Sequence, residues 1–66
     1  MHLLTPKEIR SVRLRVGDNP TRFAARLNVS ENTVRRWEIG DRHPNYHSLR
    51  KLHRLAVKVG MSLRPA

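Results

Sequence analysis

A chain of 66 residues has room for one domain and one modest core, and folding uses most of the apolar surface that a deep catalytic cleft would need. With no cysteine, it has neither disulfides nor a thiolate-zinc staple. Lys and Arg number 14 against five Asp and Glu, a formal net charge of +9, and eleven of those cations are arginine. Arginine forks onto phosphates and guanine edges, so the composition points to a polyanion without separating DNA, RNA and an anionic membrane.

No repeat, low-complexity run or linker interrupts the chain, and its punctuation marks four helices. Thr5-Pro6-Lys7-Glu8 opens the first, with Thr5 as N-cap, Pro6 at the first helical position and Glu8 as the capping-box acid. Ile9, Val12 and Val16 then recur at spacings of three and four until Gly17, which leaves Leu14 off the stripe and exposed. Asn19-Pro20 starts the second helix, whose inward stripe is Phe23, Ala24 and Leu27 while Arg22 and Arg26 point away. Asn28-Val29-Ser30 is a three-residue break: Asn28 tolerates a left-handed backbone, and Ser30 caps the next helix. That third helix runs from about Glu31 to Ile39 and closes at Gly40. After a loop over residues 41–45, a fourth helix from about Tyr46 to Lys58 carries Leu49, Leu52, Leu55 and Ala56 on one face. Residues 1–59 therefore read as one helical domain, and 60–66 as a flexible or dimer-associated tail.

Two short helices joined by a three-residue turn make a helix-turn-helix when three positions agree. The first helix needs a small residue facing the second, the turn needs a left-handed residue, and the second helix needs an apolar residue pointing back. Ala24, four residues before Asn28, and Val34, six after it, meet those requirements. With Glu31 set to zero, helical rotation puts Arg35 at about 40°, Asn32 at about 100° and Arg36 at about 140°, whereas Trp37 falls at about 240° and Val34 at about 300°. One face of the third helix thus holds groups that read bases: Asn pairs with adenine, Arg with guanine, and Glu accepts from cytosine. Just beyond it, Arg42, His43, Asn45 and Tyr46 are placed for the DNA backbone, and Thr33 is assigned to the phosphates with them.

The runs Leu4 to Arg10, Phe23 to Ser30 and Thr33 to Gly40, followed by Pro44, resemble the Cro/XRE family of phage-repressor-like domains over roughly residues 4–57. The resemblance implies an all-α, four- to five-helix, lambda-repressor-like bundle that binds double-stranded operator DNA, usually as a homodimer on an inverted repeat. It implies base contacts from the positions of Glu31, Asn32 and Arg36 with Arg35 nearby, and a structural ion pair between Arg13 and Glu38, although Arg13 can alternatively reach a phosphate. Two positions depart from the pattern: Asn28 stands where glycine is common, and Pro20 where a phosphate-contacting glutamine is common. Pro20 offers no donor, which moves that contact to Thr21 or Arg22.

Other readings of the same residues are weaker. His43 and His47 are separated by Pro44, and His47 and His53 do not share a helical face, so no metal site is expected. No catalytic constellation or cofactor motif is present. Trp37 reads as a core anchor rather than a stacking platform, and with only Phe23, Trp37 and Tyr46 as aromatics, single-stranded RNA is a poor fit. The basic fourth helix needs its apolar face for the core, which disfavours membrane binding. The expectation is a cytoplasmic, nucleoid-associated regulator with no accompanying sensor domain. It is read as an autorepressor of a small phage or mobile-element operon, dimerising through Leu55, Val59, Met61 and Leu63. Its rivals are an antitoxin with a toxin partner and a nonspecific cationic binder.

Overall fold

The structure is a computed structural model that describes residues 4–61. Four helices follow one another: α1 (Pro6–Val16), α2 (Pro20–Leu27), α3 (Glu31–Ile39) and α4 (Tyr46–Lys58). Each starts where a short polar side chain accepts from a backbone N–H that the helix leaves unpaired. Thr5 accepts from the Glu8 amide while Glu8 accepts from that of Thr5, which closes a capping box. Asn19 caps α2 through Arg22 N, Ser30 caps α3 through Thr33 N, and Asn45 caps α4 through Ser48 N. Asn45, which the sequence placed for the DNA backbone, thus uses its side-chain oxygen to cap its own helix, and only its side-chain NH2 is left to donate to a phosphate.

Helix ends follow the same local logic. Asn28 takes up φ 59° and ψ 44°, so α2 stops within one residue and the chain turns sharply into α3. Gly40 does the same for α3 at φ 87°, and the Asp41 amide bonds back to the Arg36 carbonyl.

The core gathers one stripe from each helix: Ile9 and Val12, then Phe23, Ala24 and Leu27, then Val34 and Trp37, then Leu49, Leu52 and Ala56, with Leu4 closing one end. Helix α3 packs on both α1 and α2, and α4 covers α1 and α2 from another side. Leu14 is exposed. Leu55 and Met61, expected at a dimer surface, are partly buried and pack against the core, and Val57 of the same helix as Leu55 is exposed. Val57 lies about 140° round from Leu52 on α4, which points it outward. Leu63, and any further helical turn after Met61, lie outside the described residues.

Ion pairs join these elements. Arg13 of α1 grips Glu38 of α3 with two parallel bonds, Nε to Oε2 at 2.7 Å and Nη2 to Oε1 at 3.0 Å, and its Nη1 donates to the Asp18 carbonyl at 3.2 Å. Both side chains are nearly buried, and the Glu38 hydrogen bond raises the Arg13 pKa further above its ordinary value. Those engagements use three of the five N–H donors of Arg13. Asp18, also buried, accepts a second fork from Arg26, at 2.7 and 3.3 Å. The bond from Arg26 holds the Asp18 carboxyl below the usual carboxylate range.

Glu38→Ala strands the Arg13 guanidinium at a nearly dry helix junction and should cost ~3 kcal/mol in urea denaturation, a large share of a small domain's stability. The double variant Arg13→Met with Glu38→Leu removes both charges and should cost less than Glu38→Ala alone; equal losses would show that the pair is mere packing. Asp18 is ionised more readily folded than unfolded, so its contribution is full above the unfolded value of about 3.9 and is lost as pH falls through the lower folded value. Asp18→Asn should therefore be less stable than the parent chain at pH 7, with the gap narrowing on acidification. A gap that stays constant down to about pH 2 would rule out that linkage.

Candidate nucleic-acid interface

Burial sorts the side chains of α3. Val34 and Trp37 are 0% and 3% exposed and lock the helix onto α1 and α2. Trp37 is thereby unable to stack on a nucleobase. Asn32 and Arg35 are exposed, while Glu31 and Arg36 are half-buried and open to solvent at their ends. The four polar side chains therefore rise together from the surface opposite the anchor.

They also contact one another and their neighbours. Glu31 receives Arg35 Nε at 3.0 Å and Nη2 at 2.9 Å, a pair one turn apart, and it accepts from the Thr21 hydroxyl of α2. The Thr21 bond first, and Arg35 with it, hold the Glu31 carboxyl below the usual carboxylate range. Helix α2 is thus tied to the start of α3 on the outer side as well as through the core. Sequence reading assigned Thr21 to a phosphate, but its single hydroxyl donor is engaged by Glu31, and a phosphate contact requires that bond to be exchanged. Arg36 approaches Asp41 at 3.8 Å, an exposed and long pair that costs little to open.

Two open clefts flank this ridge. One, of about 520 Å³, has Val29 and Trp37 in its floor and brings Asn32, Thr33 and Arg36 of α3 up to Arg42 and His43 of the loop and Asn45 at the start of α4. The other, of about 660 Å³, lies between Pro20 and the outer face of α3 and holds Asn32, Arg35, Arg36 and Ile39. Asn32 and Arg36 line both clefts and form the crest between them. Of the residues assigned to phosphates, Thr33, Arg42 and His43 share the first cleft. Thr33 is half-buried, its hydroxyl 2.8 Å from that of Ser30. Arg22 is exposed at the start of α2. Tyr46 stands apart from both clefts, 66% exposed, with the Arg50 guanidinium 5.9 Å from its ring centre.

Reading from sequence missed Asp18, the capping role of Asn45, and Ile39. Asn45 carried a signal, since a preferred cap residue stands directly before a helix. Asp18 carried none, because its partner lies eight residues away at the far end of α2. Ile39 carried one in its helical angle. Among the described residues no group of three His, Cys, Asp or Glu is arranged to hold a metal ion, and no helix is long and apolar enough to cross a membrane.

The arrangement is a two-helix unit with a fixed turn, an inward anchor and an outward row of base-reading groups, in a strongly basic chain. Neither a curated protein nor a solved structure matches the chain. A helix-turn-helix family model matches residues 9–56, which takes in all three elements of the motif and most of the bundle around it. The chain belongs to the Cro/XRE-type helix-turn-helix family, whose members are regulators of transcription that bind double-stranded DNA rather than enzymes.

Proposed function

We propose that the domain reads a specific operator with α3 in the major groove and represses the transcription unit that the operator overlaps, its own operon first. The observation that carries this reading is the split of α3: Val34 and Trp37 buried, and Asn32, Arg35 and Arg36 projecting between two open clefts. In this reading Arg36 and Arg35 take guanine edges and Asn32 takes adenine. Glu31 poses Arg35 and, where that pair opens, accepts from cytosine. Arg42, His43 and Thr33 lie along one strand's phosphates, with Tyr46 beyond them, and Arg22 serves the other strand from the start of α2. The α2 amides add little there, because Pro20 has none and that of Arg22 is capped by Asn19.

A single domain of this size buries little surface on DNA, so useful affinity comes from two copies on an inverted repeat. The protruding Val57 of α4 and the neighbouring Val59 just past its end are the apolar surface we assign to that pairing. Its setting, by resemblance to phage-repressor-like domains, is a small phage or mobile-element operon, and its place is the nucleoid.

Selection of bound duplexes from a random pool should enrich one motif with two-fold symmetry. A pool that stays random would reduce the protein to a nonspecific cation, since specific binders gain ~10³-fold or more over random sequence. Arg36→Ala should cost about 1–3 kcal/mol on the selected site and relax preference at one position. Arg42→Ala should weaken selected and scrambled duplexes alike and lower the salt slope by about one. If both variants changed specificity to the same extent, the division between base and phosphate contacts would be wrong.

A further inference from the structure

Among the described residues Ile39 is the most exposed large apolar side chain, at 76%, and it stands on the helix whose other apolar side chains, Val34 and Trp37, are buried. Helical rotation explains the difference. Counted from Glu31, Ile39 falls at about 80°, between Arg35 at about 40° and Asn32 at about 100°, within the polar row. The structure agrees, because Ile39 lines one open cleft with Asn32, Arg35, Arg36, Glu38 and Asp41 and with Pro20 of α2. An isoleucine there packs on nothing in the core and has no polar atom to offer a phosphate; it lies beside Arg35 and Asn32, in a cleft that Arg36, Glu38 and Asp41 also line.

In the major groove the apolar group that a side chain meets at a base edge is the thymine 5-methyl. We propose that Ile39 is a specificity-determining residue whose side chain packs on the 5-methyl of one operator thymine. This rests on the groove reading above and extends it from hydrogen-bonded to apolar readout. Charge favours the same occupant: of the two acids in the cleft, Glu38 is neutralised by Arg13 and Asp41 only loosely holds Arg36, so Arg35 and Arg36 can hold a polyanion against the face from which Ile39 projects. Pro20 forms the opposite wall of the slot and limits what enters beside the methyl group.

Deoxyuridine substitution isolates the methyl group, because it removes that group and leaves base pairing and the O4 acceptor in place. With a duplex taken from site selection, each thymine is replaced in turn and binding of the parent chain is measured. At one position per half-site the parent should lose about fourfold in affinity, the effect of one buried methyl. Ile39→Ala should bind the thymine duplex more weakly and the deoxyuridine duplex no worse than the thymine one, with circular dichroism unchanged. A parent chain indifferent to every substitution overturns the proposal, and so does an Ile39→Ala that keeps the full methyl dependence, which is the pattern expected if Ile39 contacts another protein instead. Those failures leave an enriched motif and the groove reading intact, whereas failure to enrich any motif overturns both.

Discussion

The interface depends on how firmly α3 is held by its back. A nine-residue helix is too short to persist in water on propensity alone, so its order comes from packing. Val34 and Trp37 supply the apolar half of that hold and the Arg13–Glu38 fork the polar half. The two act on neighbouring parts of one face, Glu38 lying about 40° round from Val34: the apolar pair sets the depth of the helix against α1 and α2, and the fork at the edge of that face resists rotation about the helix axis. Rotation matters most, because even a modest turn would carry Arg36 off the crest between the clefts. The further bond of Arg13, to the Asp18 carbonyl, extends the same clamp to the loop before α2.

The acids of this chain serve its own caps and cations. Glu8 closes a cap, Asp18 takes Arg26, Glu31 takes Thr21 and Arg35, Glu38 takes Arg13, and Asp41 lies near Arg36. Most carboxylates are thus assigned to holding or posing a cation, and the surplus of positive charge is left facing outward. Such a surplus works against the compact state by self-repulsion and toward any polyanion by the same field. The pair at Glu38 sits where α1 and α3 meet, and the buried Asp18 ties the loop before α2 to the end of that helix, so repulsion is offset at two joints of the bundle. The pairs at Glu31 and Asp41 are exposed and weak, and they are the ones that a nucleic acid can open at small cost.

The polar row also has a division of labour that residue type does not announce. Asn32 and Arg36 are committed to no strong partner and line both clefts, whereas Arg35 is already oriented by Glu31. An arginine held in one pose before binding loses less freedom on binding than one that must be ordered there.

Much of this was legible in the sequence, and the reason is range. Caps, the proline at the first turn, the left-handed asparagine and the 3.6-residue stripes are settled by neighbours within four positions, so Thr5, Asn19, Asn28, Ser30 and Gly40 announce the first three helices and the motif, and the leucine stripe announces the fourth. The anchor at Val34 and Trp37 followed from the same periodicity. Contacts between elements do not obey local rules: Asp18–Arg26 and Thr21–Glu31 join residues that no spacing pattern pairs, and Arg13–Glu38, 25 residues apart, was visible only through family resemblance. Ile39 falls between the two cases. Its angle was written in the sequence, but an isoleucine ahead of a terminal glycine reads as one more core residue until the packed bundle leaves that side uncovered. Local chemistry therefore determined which segments become helices and where they stop. Only the packing of those helices decided which faces stay open, because exposure is a property of what lies opposite a residue and not of the residue itself.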